Sequence, residues 1–267
     1  MSAPDYDAYQ SSFHRAFHPE LHSILGGLPL PDGGSVLDVP CGDGFYARRM
    51  AERVSGGRVV AVDASDDYMA RACTNLADVV TSAEVEVRKA DAYHLPYPDG
   101  TFDLTWRAQS LISLDLEAAV RELFRVTQPS GTAAVLEVDE FHHALLPWPT
   151  ELEAVLPAAV HAASVAPLGS GTKLAPARRL RPLLRRVGFG SVRRATHPFE
   201  RAAPFDGHTV AFLRHHLGFL RSLVAPHLPA SLLTAFDRLS DPDARDSLLN
   251  SPDAELTCLN VIYLACP

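Results

Sequence analysis

Val36-Leu37-Asp38-Val39-Pro40-Cys41-Gly42-Asp43-Gly44-Phe45-Tyr46 is an apolar run that meets an acid and opens into a glycine loop. Val36, Leu37 and Val39 read as a strand buried on both faces, the pattern of a parallel sheet. Gly42 and Gly44 let the backbone approach a ligand closely. A helix follows from Phe45 to about Arg53, so the loop turns its N–H groups toward something polar or anionic. A second strand, Arg58 to Val62, ends at Asp63, about 20 residues beyond the loop. That is where nucleotide-binding α/β folds hold the carboxylate that grips ribose hydroxyls. The stretch predicts a nucleoside-cofactor site.

Outward from it, strands and helices alternate. Tyr9, Phe13, Phe17 and Leu21 recur at helical spacing, which predicts one amphipathic helix over Tyr6 to Leu25. A helix is expected from Asp66 to Leu76, with Ser65 as its N-cap. Further strands are expected at 83–88, 101–106, 132–138, 190–198 and 257–265. Helices are expected at 116–126, 180–187 and about 209–239, and Gln128-Pro129-Ser130-Gly131 reads as a turn. Strand–helix alternation of this length implies a parallel sheet with right-handed crossovers.

With 267 residues, the chain can bury one large core. Its net charge of −8 opposes a nucleic-acid or anionic-membrane partner, since phosphate binding needs a basic surface. Arg178, Arg179, Arg181, Arg185, Arg186, Arg193 and Arg194 run against that balance. They read as a solvated helix face, the alternative being a contact for an acidic substrate. Cys41, Cys73, Cys258 and Cys266 show no CxxC spacing, which points to a reducing compartment. Ser2 to Gln10 is polar rather than signal-like, and no apolar run approaches the roughly 20 residues of a membrane span. The expected location is cytoplasmic.

Taken together, these residues resemble the class I S-adenosylmethionine-dependent methyltransferases, in particular their ubiquinone/menaquinone-type small-molecule branch. The resemblance rests on four stretches in register. They are Leu37 to Gly44; Val60-Ala61-Val62-Asp63-Ala64-Ser65; Ala90-Asp91-Ala92-Tyr93-His94-Leu95-Pro96 through Asp103; and Glu122 to Gly131. It departs at Pro40 and Ser130, where family members commonly have glycine. Pro40 removes a donor near the cofactor's amino-acid end.

The resemblance implies a Rossmann-like α/β fold. Its doubly wound sheet would have seven mostly parallel strands, an antiparallel last strand and a helical insertion. Residues 1–267 would form one domain: a helical cap at 1–34, a cofactor core at 35–140, and substrate-side insertions at 141–180 and 202–255. It implies S-adenosyl-L-methionine as cofactor, held by Asp38, Pro40, Cys41, Gly42 and Gly44 at the amino-acid end. Asp63 and Ala64 would hold the ribose, Asp91 and Ala92 the adenine, and Arg107 the methionine portion. S-adenosyl-L-homocysteine would be the product.

Methyl transfer needs alignment, exclusion of water and, for some acceptors, a base. His142 and His143 follow the fifth strand and are the candidate bases. Tyr9, Phe13, Gln109 and Trp148 are the candidate acceptor contacts. His94 is expected to pack near the cofactor. Asp139 and Glu140 offer too few ligands for a metal, and His215 and His216 are not at the i,i+4 spacing of a metal pair, so none is expected. The acceptor reads as a small, fairly hydrophobic organic molecule.

Two rival readings stand beside this one. One is a protein that binds S-adenosylmethionine but catalyses other chemistry or none. The other is an NAD-dependent oxidoreductase, because Gly42-Asp43-Gly44-Phe45-Tyr46-Ala47 also satisfies GxGxxA.

Overall fold

The computed structural model describes residues 6–138, 144–168, 176–242 and 244–267. The chain opens with two helices, α1 (Tyr6–Ala16) and α2 (His18–Gly26), where the hydrophobic spacing predicts one. Pro19 accounts for the break: it has no N–H to continue the hydrogen-bond ladder of α1.

The elements that follow are β1 (Ser35–Asp38), α3 (Phe45–Ala51), β2 (Arg58–Asp63), α4 (Asp66–Leu76), β3 (Glu84–Lys89), β4 (Phe102–Ala108), α5 (Leu116–Val126) and β5 (Thr127–Val138). After these come β6 (Ala144–Leu145), α6 (Thr150–Leu168), α7 (Pro176–Val187), β7 (Ser191–Ala202), α8 (Gly207–Val224), α9 (Ala230–Ser240) and β8 (Glu255–Cys266). Contacts group them into two compact units. One comprises His22–Val138, Pro176–His197 and Val261–Pro267; the other comprises Met1–Leu21, Asp139–Ala175 and Pro198–Asn260.

In the first unit the strands lie in the order β3-β2-β1-β4-β5-β8, with β7 also paired to β8. The pairs β1·β2, β2·β3, β1·β4 and β4·β5 are all parallel. The sheet is mostly parallel and Rossmann-like, as expected. Val59, Val60, Ala61 and Val62 are fully buried, which is why they read as an unbroken apolar run. Strand order reverses between β1 and β4, and open α/β sheets bind ligands at the carboxyl ends flanking such a point.

Local capping follows the sequence closely. The Ser65 hydroxyl accepts from the Tyr68 N–H at the start of α4, and Asp115 caps α5 through the Ala118 N–H. Gln128 to Gly131 is not a free turn, however. It is an irregularity inside β5, where the register jumps from Phe102↔Thr127 to Leu104↔Thr132. Gly131 is required there, because a Cβ would lie 2.8 Å from the Asp103 carbonyl oxygen.

Arg125 braces this unit. Its guanidinium donates to the carbonyls of Leu95 and Tyr97 and to the carboxylates of Asp99 and Glu122. Glu122 in turn accepts the Leu95 N–H at 2.6 Å. On α7, Leu180, Leu183 and Leu184 are buried while Arg178, Arg179, Arg185 and Arg186 are exposed, so the arginine-rich segment is a solvated helix face.

In the second unit α1 and α6 pack on α8. Its core is aromatic: Phe13, Phe17, Phe199 and Phe212 lie with ring centroids 5.0–6.1 Å apart. Arg201 pairs with Glu20 at 2.5 Å and covers the Phe17 ring. The long helix expected over 209–239 is two helices, α8 and α9, separated by a stretch holding Pro226 and Pro229. Within this unit β6 pairs antiparallel to the first half of β8. This two-residue strand is the eighth among the described residues, where seven were expected; it is too short to carry a periodic signal.

Candidate active site

The glycine loop is shaped by its own backbone. The Cys41 N–H donates to the Val62 carbonyl at 2.8 Å and the Gly44 N–H to the Cys41 carbonyl at 3.0 Å. Gly42 and Gly44 have φ of 54° and 82°, conformations that favour glycine. The two differ in their surroundings. A Cβ at Gly42 would meet nothing within 4 Å, whereas one at Gly44 would press on Ala72 of α4 at 3.3 Å. Gly42 therefore faces open space, and Gly44 serves helix packing. Cys41 is buried, and burial pushes its thiol well above the ordinary range. The peptide before Pro40 is cis.

Asp63 anchors this loop from the end of β2. One carboxylate oxygen accepts the Gly42 N–H at 3.1 Å and the other accepts the Ser65 N–H at 2.9 Å. Each oxygen keeps a second lone pair for a ligand hydroxyl. Ala64, between them in sequence, is exposed. The Asp63 carbonyl accepts from the Ala90 N–H at 3.0 Å and so ties this corner to the segment that leaves β3. There the exposed Asp91 accepts from the Tyr93 N–H at 2.9 Å and lies 3.2 Å from His94 Nδ1. The Tyr93 amide, followed by His94, holds the Asp91 carboxyl below its ordinary value. Ala92 is buried beside it, and His94 is exposed.

The strand ends at the reversal point are different in kind. Asp38 and Trp106 are register partners on β1 and β4. Asp38 is fully buried, and neither carboxylate oxygen has a hydrogen-bond partner. Burial drives its carboxyl well above the usual range; the Ala47 N–H, outside hydrogen-bonding geometry, is still near enough to pull the other way. The next residue on β4, Arg107, is also fully buried, and none of its three guanidinium nitrogens has a hydrogen-bond partner. Burial lowers its pKa to about 10, and Glu137 opposes that shift.

Glu137 is absent from the sequence expectations. It is the one charged residue in the apolar run Ala133 to Val138, and that was the available signal. It is buried, and one oxygen accepts the N–H groups of Ser110 and Leu111 at 3.2 and 3.0 Å. Burial raises its carboxyl to about 7. Between Arg107 and this anchored turn, Gln109 sits at φ 48° and donates its N–H to the Leu136 carbonyl at 2.8 Å. A left-handed non-glycine residue at a strand end is stored strain of the sort that gathers at binding sites.

Asp38, Pro40, Cys41, Gly42, Gly44, Asp63 and Arg107 thus share the carboxyl ends of β1, β2 and β4, and Asp91 and Ala92 follow the adjoining β3. A cleft of about 380 Å³ between α3 and α4 has Asp43 and Gly44 on its wall but none of Asp38, Asp63 or Arg107. Tyr9, Phe13 and Trp148 belong to the second unit. There the Tyr9 hydroxyl lies 3.4 Å from His216 Nδ1, Phe13 is buried among aromatic rings, and Trp148 stacks on Phe236 at 5.1 Å. His142 and His143 lie outside the described residues, as do Asp139 and Glu140.

Residues 36–131 match the family described as "Methyltransferase domain". Over 132 residues the chain is 34% identical to 27-O-demethylrifamycin SV methyltransferase of Amycolatopsis mediterranei, covering 49% of this chain and 46% of that one. It spans about half the length of the curated relatives it matches. The YcgJ protein of Bacillus subtilis superposes over 93% of this chain and 98% of its own, with TM-score 0.58 at 16% identity. A SAM-dependent methyltransferase from Aquifex aeolicus superposes over 69% of this chain and 84% of its own, with TM-score 0.50 at 22% identity. At such identities the two structures speak for the fold alone.

Proposed function

We propose that the chain, whose residues 36–131 match the methyltransferase domain family, is a class I S-adenosylmethionine-dependent enzyme that transfers a methyl group from S-adenosyl-L-methionine to a small, fairly hydrophobic organic acceptor. The methyl is accepted on oxygen, carbon or nitrogen. The observation that carries the reading is two buried groups of opposite charge type without hydrogen-bond partners, Asp38 and Arg107, at the ends of adjacent strands; Asp38 registers with Trp106, so the two side chains flank the strand ends from opposite faces of the sheet.

A buried polar group is normally satisfied, and an exception calls for a ligand or water. A zwitterionic amino-acid end, ammonium toward Asp38 and carboxylate toward Arg107, meets that demand, so the residues fit this cofactor. Asp63 and Ala64 then face the ribose, Asp91 and Ala92 the adenine, and Pro40, Cys41, Gly42 and Gly44 form the loop around the amino-acid end. The bound cofactor supplies a methyl already activated on a sulfonium. What is left to the chain is to orient the acceptor, exclude water and remove a proton where the acceptor carries one. Tyr9, Phe13, Gln109 and Trp148 are assigned to the acceptor, and His142 and His143 to the proton. Residues 1–267 act as one functional domain in this reading, with the core at 35–140 and acceptor-side segments at 141–180 and 202–255. The assigned location is the cytoplasm, with no nucleic-acid or membrane partner. No helix among the described residues is long and apolar enough to cross a membrane.

Calorimetric titration with S-adenosylmethionine, S-adenosylhomocysteine and NAD tests the reading, with Asp63→Ala as control. Micromolar binding of the first two, lost in the variant, is expected. Binding of NAD alone would overturn it in favour of an oxidoreductase. Cofactor binding without any methylated product across an acceptor screen would favour non-methyl chemistry.

A further inference from the structure

Arg107 and Glu137 lie on one face of the sheet. Arg107 pairs in register with Val135 on β5, and Glu137 is two residues further along, where side chains return to the same side. Both are buried. Glu137 is fixed by two amide donors from the Ser110–Leu111 turn, while the Arg107 donors are unspent.

Building on the S-adenosylmethionine reading above, we infer that Arg107 and Glu137 form a proton-linked subsite for the carboxylate end of the cofactor. The ligand's carboxylate replaces Glu137 as the counter-ion of Arg107, and Glu137 takes up one proton from solvent as it does so. When product leaves, the proton returns to solvent and Glu137 resumes its role beside Arg107.

The electrostatics require one anion to yield. The ligand's ammonium is met by Asp38, so beside Arg107 two carboxylates share one cation in a desolvated space and cannot both stay ionised at low cost. A free α-carboxyl ionises at roughly 3.5, so it keeps its charge. Glu137 already titrates at about 7 and is the group that yields. The groups facing it are Arg107 from β4, the Ser110 and Leu111 amides from the turn, and Tyr46 from α3, whose phenol burial holds above its ordinary range; Arg107 is also within electrostatic reach of Tyr93 and of Asp38 on β1. Asp139 and Glu140 follow it in the chain, so the test needs a variant that isolates Glu137.

The experiment is calorimetry at pH 7 in buffers of different ionisation enthalpy, which counts protons taken up on binding. S-adenosylhomocysteine is compared with 5′-methylthioadenosine, which has the nucleoside and thioether but neither the carboxylate nor the ammonium, and both are also run on Asp38→Asn, which removes any proton that Asp38 itself releases to the ammonium. On Asp38→Asn, about 0.5 proton is expected per S-adenosylhomocysteine and none for methylthioadenosine. Adding Glu137→Gln should bring the first number to zero. Zero uptake with S-adenosylhomocysteine, equal uptake with both ligands, or unchanged uptake in Glu137→Gln each overturns the inference. Should that variant fail to fold, the contrast between the two ligands on Asp38→Asn still decides. Wild-type protein that binds neither ligand overturns the cofactor reading and this inference with it.

Discussion

The two ends of the candidate cofactor site are built on opposite principles. At the Asp63 corner both carboxylate oxygens accept backbone N–H groups, so the glycine loop and the loop after β2 are held in place without any ligand. At the β1–β4 strand ends, Asp38 and Arg107 are buried with their hydrogen-bonding capacity unused. The first region is finished when the chain folds. The second is left under electrostatic tension, which a charged ligand would relieve. Preorganisation and strain are thus separated along the site: one end fixes shape, the other selects charge.

The contrast can be broken from either end. The largest effect is expected at the finished corner: Asp63→Ala removes two charge-assisted hydrogen bonds and should cost about 3–5 kcal/mol in urea unfolding, along with cofactor binding. Next comes pH. The folded-state value of Glu137 stands at about 7, above its ordinary 4.5, so its contribution to stability is fully present below about 4.5 and is lost as pH rises through about 7. Wild-type ligand-free protein should lose about 3 kcal/mol across that window relative to Glu137→Gln, as read by denaturation at a series of pH values. No difference between their pH profiles would sink the idea of a tense strand end.

Asp38→Asn sharpens the comparison in the reverse direction. Removing a buried, unpaired charge should stabilise the ligand-free protein by about 1–2 kcal/mol at pH 8 while weakening S-adenosylhomocysteine binding at least tenfold. The smallest change is Gly42→Ala. The left-handed backbone there costs a side chain about 1 kcal/mol, and the added methyl enters open space, so thermal unfolding should shift little while affinity falls.

The core could be read in the sequence because its signals are local. Ser65 and Asp115 cap their helices as predicted, and the β2 strand is an unbroken apolar run. What escaped depends on distant partners. In Thr150 to Leu168 the helical period is faint: Leu152, Leu156, Ala159 and Val160 recur at helical spacing and are buried, but alanines between them and Pro157 within the helix blur the pattern. Gln128 to Gly131 carries turn residues but is drawn into β5 by pairing with β4. Asp38, Asp63 and Gly42 were legible from spacing. That Asp63 is bonded while Asp38 is not follows only from which amides the fold brings near each. Glu137 looked like an interruption in an apolar strand, and its role rests on a turn 26 residues away in sequence.

Arg125 was described as a brace, but it also sets a timescale. Its donors and its own carbonyl hold Leu95, Tyr97, Asp99 and Gly100 to α5, with the Gly100 N–H on the Arg125 carbonyl at 2.8 Å. The segment that follows Asp91 should therefore have no independent opening motion. The amides of Leu95 and Gly100 should exchange with deuterium only as fast as α5 itself opens, so this surface loop would keep the clock of the core.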